Sequence, residues 1–148
     1  MIHFNQWQKG SAAPAPSGLV QPLTPAGYLR LRRAASGLSI AKVAAICAPL
    51  AKRHDAAVLI GMLEDEGVKA KDRETIEQLA IAFPLDVDVY FQLANEPADR
   101  HPQVCRGCGC SAWDPCYTGR GTCSLATPHL CSAGKCGGEP ADASEQLQ

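Results

Sequence analysis

TPAGYLRLRRAASGLSIAKVAAICAP, residues 24–49, is the stretch whose reading decides the fold. Thr24 can cap a helix, Pro25 suits a first turn in which no amide hydrogen is needed, and Gly37 can close the end in a left-handed conformation. The spacing predicts a first helix over residues 25–36, with Tyr28, Leu29 and Leu31 toward a core and Arg30, Arg32 and Arg33 on a basic face. Leu38 is expected inside. Ser39 then caps a second helix over residues 40–48, with Ile40, Val43, Ala44 and Cys47 at helical spacing, until Pro49 interrupts it. Cys47 stands alone in this apolar pattern and reads as a small buried hydrophobe.

Downstream, a third helix is expected over residues 55–67, with Val58, Leu59, Met62 and Leu63 inward and Gly67 as its stop. Asp72 caps a fourth that turns Ile76, Leu79, Ala80 and Phe83 inward and ends at Pro84. Asp86 caps a fifth that carries Val89, Tyr90 and Leu93. The expected fold class is mainly α: a five-helix domain over residues 23–97, followed by a small cysteine-rich, metal-stapled segment over residues 101–138. Residues 1–22, rich in Ala, Pro, Gly, Ser and Gln, read as a flexible tail, and the polar residues 139–148 as a disordered one.

Of the eight cysteines in this 148-residue chain, seven lie in the second segment: Cys105, Cys108, Cys110, Cys116, Cys123, Cys131 and Cys136. The segment has too few aliphatic residues to bury a core, so sulfur chemistry must hold it. The chain shows no secretory leader and no window apolar enough to span a bilayer, so a cytoplasmic protein without a membrane partner is expected. In that reducing compartment, clustered thiols persist as metal ligands more readily than as disulfides. Zinc is the first expectation and an iron–sulfur cluster the second, because no ferredoxin-type C-x2-C-x2-C run is present.

The spacing is C-x2-C-x-C-x5-C-x6-C-x7-C-x4-C. A C-x2-C pair lets two thiolates close on one metal across a tight turn, and Gly107 and Gly109 give that turn its freedom. Spacing alone leaves the pairing open. One natural division places Cys105, Cys108, Cys131 and Cys136 on one zinc, and Cys110, Cys116 and Cys123 with His129 on a second. A catalytic zinc needs an open position and a nearby base, and Asp114 is the only acid among these cysteines. With no phosphate-binding glycine loop and no Ser-His-Asp constellation, no enzyme is expected.

YLRLRRAASGLSIAKVA (residues 28–44), LIGMLEDEG (residues 59–67) and ETIEQLAIAFPLDVDVYFQLA (residues 74–94) together resemble the Cro/C1-type, XRE-like helix-turn-helix family. This chain carries several more residues between the second and third helices than that family usually has. The resemblance implies a transcription regulator that binds duplex DNA as a homodimer. By position, Ser39 and Lys42 would lie by the phosphates, and Lys52, Arg53, His54 and Asp55 near base edges. Against it stand the acidic run Glu64 to Glu66 and a formal net charge of −1, which offers no general attraction to nucleic acid.

The cysteine segment is similar to a tail that follows such domains in proteins of alphaproteobacteria and their phages. The similarity lies in CRGCGCS, the Trp113-Asp114-Pro115-Cys116 step, Gly121 to Cys123, and LCSAGKC. Leu125 stands where that pattern usually has Trp, and the closing pair is C-x4-C rather than C-x2-C. The alternative function is a phage or prophage adaptor that does not bind DNA and uses the helical core and the zinc knob to contact protein partners.

Overall fold

The computed structural model describes residues 21–117 and 121–133. It is mainly helical. Helix α1 spans Pro25–Ala35, α2 Ile40–Cys47, α3 Arg53–Leu63, α4 Arg73–Ala82 and α5 Val87–Asn95, with short 3-10 turns at Leu50–Lys52 and Ala98–Arg100. Three of the four expected caps form; Asp72 stands at the N-cap of α4, but its side chain makes no capping hydrogen bond. The Thr24 side chain accepts from the amide of Gly27, Ser39 from that of Lys42, and Asp86 from those of Asp88 and Val89. Gly37 closes α1 with a φ of 73°.

Helix α2 packs on α3 and α4, while α5 packs on α1 and α4. The core between them contains Tyr28, Leu29, Val43, Ile60, Leu63, Ile76, Leu79, Phe83, Val89 and Tyr90. Two tyrosine hydroxyls inside it serve chain segments that cannot form regular backbone bonds. The Tyr28 hydroxyl accepts from the Asp86 amide at 3.0 Å, and the Tyr90 hydroxyl accepts from the Ala70 amide at 2.8 Å. Leu31, Leu38 and Cys47 are half-buried rather than interior.

The third helix departs from its expected limits and register. It begins at Arg53, ends at Leu63, and buries Ile60 and Leu63, with Ala56 and Ala57 partly covered. Val58, Leu59 and Met62 remain 49%, 45% and 51% exposed. Val58 lies two residues from Ile60, about 200° around a helix of 3.6 residues per turn, so both cannot face inward. The inward stripe is 56-60-63, in which the small Ala56 lets α3 approach its neighbours.

The basic face expected on α1 is absent, because each arginine is turned to a partner. Arg33 grips Glu64 through Nε at 2.6 Å and Nη2 at 2.8 Å. Arg30 pairs with Glu66 at 2.7 Å and also donates to the Glu64 carbonyl. Arg32 is buried and faces the cysteine segment. The same contacts dispose of two of the three acids that stood against phosphate contact. Glu64 is buried on Arg33 and Glu66 is tied to Arg30.

The cysteine segment folds against α1. Its regular structure among the described residues is a short antiparallel ribbon, Leu125–Thr127 (β1) with Leu130–Cys131 (β2), and isolated bridges such as Val104 with Ser111 and Tyr117 with Thr122. The Thr127 hydroxyl accepts from the amides of His129 and Leu130 and so forms the turn that delivers Cys131.

Candidate functional site

Six thiols converge at the centre of this segment. Cys105, Cys108, Cys110, Cys123 and Cys131 are buried, and Cys116 is half-buried among them with Leu125, Leu130 and Ala133. Two loops present them. In the first, the Cys105 amide donates to the Cys110 carbonyl and the Gly109 amide to the Cys105 carbonyl, each at 2.8 Å, while the Gly107 amide reaches the Cys105 sulfur at 3.3 Å. In the second, the Cys123 amide donates to the Cys116 carbonyl at 2.9 Å, and the Cys116 amide returns to the Cys123 sulfur at 3.3 Å. The first loop needs glycine at 109 for two reasons. Its φ is 85°, and a Cβ there would lie 2.5 Å from the Arg32 side chain.

The sulfurs form two groups, each with all ligand atoms within 4.8 Å of one another: Cys105, Cys108, Cys110 and Cys131, and Cys110, Cys116, Cys123 and Cys131. Either group could hold a metal ion. No disulfide joins these six thiols. Sulfur separations of 3.6 Å for Cys110 and Cys123, and 3.8 Å for Cys116 and Cys131, are far beyond a disulfide bond of about 2.0 Å. They match the edge of a ZnS4 tetrahedron, about 3.8 Å when each Zn–S bond is about 2.3 Å.

Protonation differs sharply among Cys105, Cys110, Cys116 and Cys123. Burial raises the Cys105 thiol, but amide hydrogens from Gly107, Cys108 and Cys131 outweigh it and bring the thiol down to about 7. Burial pushes Cys110 far above the ordinary thiol range, aided by the thiols of Cys108, Cys123 and Cys131. Burial and the thiols of Cys123 and Cys131 push Cys116 up to about 12. Burial also raises Cys123, but the Cys116 side chain and amide bring it below its ordinary value. Without a cation, so many adjacent thiols cannot all ionise, whereas a bound cation would hold them as thiolates.

The grouping differs from the division suggested by spacing. Cys110 and Cys131 each belong to both sets, so the second set has four sulfurs without a histidine. His129 is exposed and is in neither group; its carbonyl accepts from the Arg106 amide at 2.7 Å. Cys136 lies outside the described residues.

Sequence reasoning missed the residue that anchors the site. Arg32 donates through Nε to the Pro84 carbonyl at 2.9 Å, through Nη1 to the Cys108 carbonyl at 3.2 Å, and through Nη2 to the Asp114 carboxylate at 2.8 Å. No local signal announces this, because the partners lie 52 to 82 residues away.

The residues expected at a nucleic-acid surface are elsewhere. Ser39 and Lys42 are exposed at the start of α2, and Lys52, Arg53 and His54 are exposed where the 3-10 turn enters α3. Among the described residues, Lys42, Lys52 and Arg53 take part in no ion pair. By contrast, Arg73 is held by Glu77 and Asp88. No helix among the described residues is long and apolar enough to cross a membrane. Comparison with protein-family models, curated proteins and solved structures finds no match to this chain.

Proposed function

We propose that this protein is a DNA-binding transcription regulator of the XRE-like helix-turn-helix type, whose C-terminal segment is folded around structural zinc and has no catalytic role. The observation that supports DNA binding is electrostatic. Among the described residues, Lys42 near the start of α2, and Lys52 and Arg53 where the 3-10 turn enters α3, are exposed and take part in no ion pair, while Glu64 and Glu66 are neutralised by Arg33 and Arg30. A dimer would present this surface to two half-sites. Zinc fits the donor set, which is all sulfur and buried but for the half-buried Cys116, with the Cys110–Cys123 and Cys116–Cys131 separations near the edge of a ZnS4 tetrahedron. The test is retention of random duplex fragments by the full chain at two salt concentrations. Affinity is expected to fall steeply with salt, as counterions are released from neutralised phosphates. Failure to retain duplex at low salt sinks the reading.

A second reading, a protein–protein adaptor, is favoured by one specific observation. Ile46, Leu50, Val58, Leu59 and Met62 are 45% to 76% exposed along α2, the 3-10 turn and α3. A shallow groove of about 200 Å³ lies beside them, lined by residues such as Cys47, Leu59, Leu63 and Leu79. Salt-insensitive self-association or partner binding, without duplex retention, would select it.

A further inference from the structure

We propose that the cysteine segment binds two zinc ions in one binuclear cluster, with Cys110 and Cys131 as bridging thiolates. Cys105 and Cys108 are then terminal on one ion, and Cys116 and Cys123 on the other. The inference deepens the zinc reading above and rests on it.

Sulfur arithmetic carries the argument. Two separate ZnS4 sites require eight thiolates, and the described segment brings together six. A single zinc would use four and leave a converged pair idle, either Cys105 with Cys108 or Cys116 with Cys123. Sharing two sulfurs satisfies both four-coordinate sites at once, and the two groups overlap in two members, Cys110 and Cys131. A [2Fe–2S] centre would again account for only four thiolates.

Position supports the division of roles. The terminal pairs come from the two hydrogen-bonded loops, Cys105 with Cys108 and Cys116 with Cys123, so each ion is held by a loop of its own. Cys110 leaves the first loop, and Cys131 arrives on β2, which pairs with β1. Its amide donates to the Cys105 sulfur at 3.4 Å. Terminal sulfurs Cys105 and Cys123 thus receive backbone N–H donors that support their negative charge.

Loading converts six thiols and two Zn²⁺ ions into a cluster of net charge −2, with release of up to six protons. No electron is transferred. The bridges also predict cooperativity, because the loss of one bridging sulfur opens both coordination shells.

The experiment uses the full chain, purified under reducing conditions, loaded with excess zinc and then desalted. The expected result is two zinc per chain, with X-ray absorption showing an all-sulfur shell and a zinc neighbour at roughly 3 Å, the separation set by two shared sulfurs with Zn–S near 2.3 Å. One zinc per chain would overturn the binuclear cluster and leave the zinc-folded segment intact. No zinc would overturn both. Two zinc ions without a zinc neighbour would mean separate sites that recruit ligands beyond these six. C110S is expected to lose the zinc–zinc signal and most of both ions, and C123S to keep about one. If neither variant folds, the absorption spectrum of the unmodified chain still decides.

Discussion

The Arg32 guanidinium lies 2.8 Å from the Asp114 carboxylate, joining the first helix to the Trp-Asp-Pro-Cys step of the cysteine segment across 82 residues of sequence. Arg32 also holds the carbonyls of Pro84 and Cys108, so one side chain ties the α4–α5 connection, the first cysteine loop and the Asp114 step that leads into the second into one body. The Arg32 side chain is 6% exposed and Asp114 29%, which makes this pair costly to break.

Replacing Arg32 with Met is expected to cost about 3 kcal/mol, toward the lower end for a buried pair because Asp114 keeps some access to water. Asp114→Asn preserves a hydrogen-bond acceptor and is expected to cost about 1 kcal/mol. Urea unfolding with zinc content followed in parallel measures both. An Arg32→Met midpoint equal to that of the unmodified protein would remove Arg32 as an anchor.

Gly109→Ala combines a left-handed backbone with a clash against Arg32 and is expected to cost about 2 kcal/mol or more. The two contributions separate in a double-mutant cycle. With Arg32→Ala in the background the clash disappears and only the backbone penalty, about 1 kcal/mol, should remain. Strict additivity of the two changes would show that the close approach is unimportant.

Glu64 is a buried carboxylate that binds Arg33 through two parallel bonds. Glu64→Ala leaves Arg33 partly buried without its partner and is expected to cost about 2–3 kcal/mol. It also removes one negative charge from the chain without touching Lys42, Lys52 or Arg53 at the proposed duplex surface. If duplex binding occurs there, affinity measured at low salt should rise or hold while stability falls. A loss of affinity larger than the unfolded fraction explains would argue against that placement.

Alkaline pH should destabilise the helical core through Tyr28 and Tyr90. Burial raises both hydroxyls above the ordinary tyrosine value of about 10, although the amides of Asp86 and Ala70 partly lower them. The raised group favours the folded state fully below pH about 10, and that contribution is lost as pH rises beyond it, where the unfolded chain ionises first. Tyr28→Phe should cost about 1–2 kcal/mol at neutral pH by orphaning the Asp86 amide, and should flatten the decline above pH 10. Denaturation followed across that range, with the tyrosinate absorption band, checks the sign.

Chelation of zinc should melt the cysteine segment and spare the helices, since the core of Tyr28, Ile76 and Tyr90 is apolar and contains no metal ligand. The expected result is loss of amide protection over residues 105–117 and 121–131 with helical circular dichroism nearly unchanged. Global unfolding on chelation would show that the two parts fold as one cooperative unit.

The sequence by itself determined the number and order of the helices, though not the limits of α3. Thr24, Ser39 and Asp86 act on amides two or three residues away, and Pro25, Gly37 and Pro84 act on their own backbone, so local chemistry places the helix starts and stops. It also pointed to sulfur rather than apolar side chains at the centre of the cysteine segment, since composition alone denies that segment an apolar core. Only the tertiary structure decided the fate of the arginines on α1, because Glu64, Glu66 and Asp114 reach them from 31 to 82 residues away. The face of α3 was decided the same way. Bulky Val58, Leu59 and Met62 look interior by hydropathy, yet close helix packing selects the stripe through Ala56, Ile60 and Leu63. Thiol spacing along a chain likewise leaves the sharing of Cys110 and Cys131 open, because which sulfurs meet depends on how two loops and a ribbon cross in space.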